Sequence, residues 1–510
     1  MKRVSMLCGA VVVLLACEPG PDVTVKDDCQ SSQQQLAVLA ENLRAVNIGD
    51  TGPPLQTLNQ WLITWDNAWQ SMRAMADLSA SDKVVQQANE CLSRLNRLYV
   101  DLFADEDVAA QIAGVDISQT DTSTQHFVNK IGQQFIVHGR GQTDPQKKSI
   151  HAAQLGLRNS SPSTDPQTYR QRVRQLGEAL GFPDPIALLL NNLTLVSEQQ
   201  LRQLLSRSVD RDDQVQEGVS SNALTISIEW PTLRQNLFGL IQKLWGMEFI
   251  REDLPQPLPG INGESYVVME NGQRVGQLFL DLQVDNSATA GFNYHPLRRG
   301  IVDEQTPIFF ISANLPSASL NHHQLRQLLH QFGHFIHHQL ARESEWFLLA
   351  GLSTEADFVE VPAYWFEQWA WHPQALQLML GKTLSETDID LLAIAQQRNN
   401  REWRQNLQNI VVQHLDFYSG RHEEINLSPE QIQWLQDHPH CLQQSPLVGC
   451  WLNVSLTRLL IEPFHRFGMT DPVSAKNIRD KLLAPGAKRP ALDMVADYLG
   501  RSVVVEDLYE

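Results

Sequence analysis

The stretch Leu320-Asn321-His322-His323-Gln324-Leu325-Arg326-Gln327-Leu328-Leu329-His330-Gln331-Phe332-Gly333-His334-Phe335-Ile336-His337-His338-Gln339-Leu340 decides how this chain is read. Pro316 and Asn321 mark a helix start. Asn321 and Gln324 have the spacing of a capping box, in which each side chain serves the other's backbone N–H. Leu325, Leu328, Leu329, Phe332, Phe335 and Ile336 recur at helical spacing and predict a buried stripe. His330 and His334 are four residues apart, so their imidazoles stand one above the other on one helix face. Two nitrogens so placed can reach one metal ion. Gly333 costs about 1 kcal/mol relative to alanine inside a helix. That cost predicts a second chain segment passing close by. His337 and His338 lie near the ligand face, and His322 and His323 read as solvated helix-entry residues.

A His-x-x-x-His pair is a weak signal by itself, because two core or surface histidines give the same letters. Its surroundings strengthen it. Downstream stand Asp357-Phe358-Val359-Glu360-Val361-Pro362 and Trp365-Phe366-Glu367-Gln368-Trp369. Upstream stand Gly276-Gln277-Leu278-Phe279-Leu280-Asp281-Leu282 and Ile311-Ser312-Ala313-Asn314-Leu315-Pro316. Near the C-terminus come Leu482-Leu483-Ala484-Pro485-Gly486 and Tyr498-Leu499-Gly500-Arg501. Together these stretches resemble the thimet-oligopeptidase family of zinc metallopeptidases. The resemblance runs from about 225 to 510, and more weakly back to about 125. It implies a mostly α fold, with helical subdomains flanking a deep channel and a small β-hairpin element near the zinc-site helix. It also implies one Zn2+ held by His330, His334 and Glu360. Two histidines and a carboxylate leave a fourth position open, as a catalytic zinc site requires. Glu360 stands one residue further along than the family pattern, which implies a small insertion before it. Asp357 is read as one helical turn before Glu360, either orienting a ligand histidine or serving as a packing or capping residue.

Two departures from that pattern bear on activity. The family carries a glutamate after the first histidine, where it takes a proton from the attacking water. This chain has Gln331. The family also carries a tyrosine-rich segment near the C-terminus that binds substrate and stabilises the oxyanion. The corresponding stretch here, His440-Cys441-Leu442-Gln443-Gln444-Ser445-Pro446-Leu447-Val448-Gly449-Cys450-Trp451-Leu452-Asn453-Val454-Ser455-Leu456, has no tyrosine. Cys450 and Asn453 fall near the family's tyrosine positions. The reading is therefore a homologue with its zinc ligands kept and its general base lost, impaired in catalysis and acting by binding an oligopeptide or a protein. The alternative is an active zinc metalloendopeptidase that uses a different base.

The rest of the chain bounds the setting. At 510 residues it is too long for one core, so two or three subdomains are expected. Hydrophobic residues at 42% and charged residues at 19% describe a globular protein rather than a disordered one. A formal net charge of −18 repels phosphate backbones, which speaks against a nucleic-acid partner. Lys2 and Arg3 precede the apolar run Leu7–Leu15, far short of the ~20 residues that span a bilayer. The run ends Leu14-Leu15-Ala16-Cys17, which resembles a bacterial lipobox with an unusual Leu15. That resemblance implies a signal peptide over 1–16, lipidation of Cys17 and a tether over 17–28. The lipid would be the only membrane attachment. Glu18 after the cysteine implies the outer membrane, facing the periplasm.

Cys29, Cys91, Cys441 and Cys450 remain, and three pairings are open. The chain-local one joins Cys29 to Cys91 and Cys441 to Cys450, and four free thiols is the other reading. An N-terminal helical region is expected over 29–215, marked by Leu55, Leu58, Trp61, Leu62, Trp65 and Trp69 at helical spacing. A catalytic-type domain is expected over 216–510, with an Asn-Gly hairpin near 271–272.

Overall fold

The computed structural model describes residues 25–45, 53–79, 81–160, 165–182, 188, 198–207, 226–253, 263–284, 291–315, 319–437 and 447–508. Among the described residues five helices come first: α1 (Val25–Ala45), α2 (Pro53–Leu78), α3 (Asp82–Phe103), α4 (Glu106–Ala113) and α5 (Thr122–Val137). Their apolar stripes face one another. Leu36 and Leu43 of α1, Leu58, Trp61 and Leu62 of α2, Leu95 and Tyr99 of α3 and Phe127 and Ile131 of α5 share one core. Trp61 donates to the Leu36 carbonyl at 3.1 Å and Trp65 to that of Leu95 at 2.9 Å, so these rings are buried without stranding a donor. The Asp105 and Asp121 carboxylates accept from the first free N–H groups of α4 and α5, which fixes where those helices begin. Cys29 is bonded to Cys91, fastening α1 to α3. Because α1 begins at Val25, the end of the stretch expected as a tether to residue 28 is helical instead. The lipobox, Cys17 and the rest of that tether lie outside the described residues, as does the expected boundary near 215. Leu201, before that boundary, already packs in the second core.

The expected hairpin is present, built on Asn271 and Gly272, both at positive φ (51° and 76°), as a tight turn between twisted strands requires. It is part of something larger. Strands β2 (Met247–Arg251), β3 (Glu264–Glu270), β4 (Gln273–Asp281), β5 (Phe292–Arg298) and β6 (Ile308–Ala313) form one sheet in the order β2-β3-β4-β6-β5. The β4–β6 pair is parallel and the others antiparallel. A separate pair joins β1 (Ser227–Glu229) to β7 (Ser319–Asn321), immediately before the His322–Leu340 helix.

The sheet has two buried faces. Phe279, Ile308 and Phe310 pack against Ala74 and Leu78 of α2. Leu278, Leu280, Phe309 and Ile311, alternating with them, join the core of the histidine helix. The sheet thus lies between the N-terminal helices and the helix that carries His330 and His334. The later helices, among them Val361–Glu367, Glu386–Tyr418 and Val448–Phe467, complete this second core. The architecture is mostly α with a small sheet. Among the described residues no helix is long and apolar enough to cross a membrane.

Candidate metal centre

The histidine helix starts as its sequence dictates. Asn321 Oδ1 accepts from the Gln324 N–H, and Gln324 Oε1 from the Asn321 N–H, both at 2.9 Å. Leu325, Leu328, Leu329, Phe332 and Phe335 are fully buried. Gly333 faces the crossing segment. A Cβ there would lie 2.5 Å from both Ala363 Cα and the Pro362 carbonyl oxygen, so only glycine lets the Val361–Glu367 helix cross. The crossing delivers Glu360, which stands at the N-terminus of that helix, to the two histidines.

Glu360 Oε2 lies 3.1 Å from His330 Nε2 and 3.0 Å from His334 Nε2, with all three residues buried. Zinc bonds of ~2.0–2.2 Å in a tetrahedron set ligand atoms about 3.3 Å apart. The donor set therefore fits a zinc ion with shifts of a few tenths of an ångström. Burial alone would push His330 down, but the carboxylates of Glu360 and Glu367 outweigh it and bring it up to about 9. Burial would likewise raise Glu360, yet the facing imidazoles of His334 and His330 hold it well below the usual carboxylate range. Burial, and the neighbouring His330, push His334 down despite Glu360, so one imidazole of the pair is held neutral.

Residues 208–438 match peptidase family M3. The part of this chain that carries the metal helix is thus similar to that family. Oligopeptidase A of Escherichia coli (strain K12) is 29% identical over 123 residues, which is 22% of this chain and 18% of that protein's length. Across nearly the whole chain the fold is similar to solved peptidase structures. A protein described as oligoendopeptidase F from Bacillus anthracis str. Ames superposes with a TM-score of 0.53 at 10% identity, covering 94% of each chain. The M32 carboxypeptidase from Deinococcus radiodurans R1 superposes with a TM-score of 0.54 at 12% identity, covering 94% of this chain and 97% of that one.

The His330–His334–Glu360 centre has supports that its spacing did not reveal. Glu367 Oε2 stands 3.4 Å from His330 Nδ1, the nitrogen turned away from the centre. Glu367 Oε1 accepts from Arg326 Nε at 3.0 Å and Nη2 at 2.6 Å. A carboxylate behind a ligand histidine fixes its tautomer and ring orientation. Arg326 lies one turn before His330, so an arginine at that spacing is the signal that could have pointed to it. The Tyr294 ring stacks on His334 with centroids 4.3 Å apart.

The segment expected to replace the family's tyrosines does something else. Asn453 is fully buried, and its Oδ1 accepts from the Glu360 N–H at 3.1 Å. Its Nδ2 donates to the carbonyls of Ala356 (2.8 Å) and Gly449 (2.5 Å). Cys450 Sγ lies 2.9 Å from the Tyr364 hydroxyl. Both residues therefore grip the backbone and helix that carry the third ligand. Cys450 is disulfide-bonded, while Cys441 and His440 lie outside the described residues.

Gln331 is buried beside His330, and its Oε1 has no hydrogen-bond partner among the described residues. His338 Nε2 pairs with the Arg298 carbonyl at 2.7 Å, and His337 is buried against Phe358. His323 is exposed as expected. His322 is not, being buried with Nε2 3.0 Å from the Ala370 carbonyl. Asp357 is fully buried and lies in a turn, not the helical turn expected of it, because the helix starts only at Val361.

Proposed function

We propose that this chain is an exported M3-family homologue that binds one zinc ion through His330, His334 and Glu360. It holds an oligopeptide or protein segment at that centre and hydrolyses it slowly or not at all. The observation that carries the reading is an intact buried ligand set with Gln331, an amide, next to the first histidine. A bound zinc ion would supply Lewis-acid polarisation of a ligand's carbonyl oxygen. Gln331 can donate or accept a hydrogen bond in that space, but its amide cannot take up a proton at ordinary pH. General-base assistance is worth ~10²–10⁴ in rate. Losing an oxyanion donor costs a further ~10²–10³. Asn453 does not replace such a donor, because its amide is engaged with the Glu360 loop. Attachment through a lipidated Cys17 at the outer membrane completes the proposal, on the lipobox resemblance of residues 14–17.

Zinc quantification joined to a mixed-peptide cleavage assay tests this on the wild type and Gln331→Glu. The expected result is about one zinc per chain in both, near-background cleavage by the wild type, and a gain of up to ~10²–10⁴ in the variant. Rapid, chelator-sensitive cleavage by the wild type would instead establish an active endopeptidase with another base. A zinc-free wild type would remove the metal from the account.

A further inference from the structure

β5 is the edge strand of the five-stranded sheet, and Tyr294 lies near its middle, paired with Ile311 of β6. Strand alternation sends successive side chains to opposite faces. His295 goes to the far face, with its ring 5.8 Å from that of Phe310. Tyr294 goes to the metal face. Its ring lies 5.7 Å from that of Phe309, nearly parallel to it at 4°, and 4.3 Å from that of His334 at 28°. The phenol ring thus packs with both the sheet's own aromatic and a ligand imidazole. The residue is nevertheless only half-buried, unlike Phe292 two positions before it. A phenol hydroxyl is a hydrogen-bond donor at ordinary pH, and this one is carried on a ring that touches a ligand imidazole.

Packing alone accounts for a ring at this position and gives no reason for a hydroxyl. We propose that the Tyr294 hydroxyl donates a hydrogen bond to the carbonyl or carboxylate oxygen of a peptide held at the His330–His334–Glu360 centre. It would contribute from the sheet edge the kind of donor that the tyrosine-free 440–456 segment lacks. The inference rests on the zinc-and-peptide reading above, but not on whether that site hydrolyses anything.

The test is calorimetric titration of zinc-loaded full-length protein with a short peptide hydroxamate, comparing wild type, Tyr294→Phe and Tyr294→Ala, with zinc content measured in parallel. Tyr294→Phe keeps the ring on His334, so zinc content and melting temperature should match the wild type. Its Kd for the hydroxamate should rise about 10-fold or more, the size of a net hydrogen bond to a charged group. Tyr294→Ala should show that loss and weaker zinc retention as well. Zinc-replete Tyr294→Phe that binds the hydroxamate as tightly as the wild type overturns the role of the hydroxyl alone. Zinc-replete wild type that does not bind the hydroxamate overturns it too. A wild type without zinc overturns the metal reading, and this proposal with it.

Discussion

The N-terminal helices and the segment just after Glu360 bury tryptophans in two different ways. In the first region Trp61, Trp65 and Trp69 each donate to an acceptor, a carbonyl or the Asn96 amide oxygen. Trp346, from the loop after the histidine helix, is drawn into that same core and donates to Thr124 Oγ1 at 3.2 Å. In the second region Trp365, Trp369 and Trp371 bury their indole N–H groups without an acceptor among the described residues. They pack ring on ring instead, as Trp365 and Trp369 do with centroids 5.7 Å apart. Gln331 Oε1 and both His337 nitrogens are in the same position. An unmet buried polar group costs ~1–3 kcal/mol. The N-terminal tryptophans are therefore held by hydrogen bonds as well as by packing, while the segment after Glu360 borders a cluster shaped for a cation, where a bound ion would add stability by mass action.

That contrast can be broken or sharpened. The largest effect is expected from Glu360→Ala, which should take zinc from about one per chain to near zero by metal analysis while leaving far-UV circular dichroism unchanged. Stoichiometric zinc in that variant would erase the distinction between the halves. Next comes removal of the Cys29–Cys91 bond as the double serine variant. The bond closes a sequence separation of 62. Its loss should cost about 4 kcal/mol in denaturant unfolding by the chain-entropy argument, with zinc content unaltered. A fall in zinc would show that the first region sets the metal site directly. The smallest effect is Glu367→Gln, expected to weaken zinc affinity about 10- to 100-fold in a chelator competition, as losses behind a ligand histidine do. Unchanged affinity would reduce Glu367 to a partner of Arg326.

Much of the site could be read from the letters, because it is written in local spacing. The capping box, the leucine and phenylalanine stripe, the histidine pair and the glycine that admits a crossing segment all fall within Asn321–Ile336. The N-terminal tryptophan stripe is local in the same way. What could not be read depends on partners distant in the chain. Asn453 reaches the Glu360 backbone across 93 residues of sequence. His322 is buried only because the Ala370 carbonyl arrives above it. Strand β5 carries Pro296, which weakens a strand signal and suits the edge position it occupies. Glu367 stood in plain view among aromatic residues, but nothing local tied it to His330.

The crossing at Gly333 also makes the cage a readout of one joint. Both histidines meet their carboxylate only with the Val361–Glu367 helix seated on the bare glycine backbone, and the Asn453 clamp holds Glu360 only with the downstream helix in place. A metal held by all three ligands therefore reports that this crossing is closed.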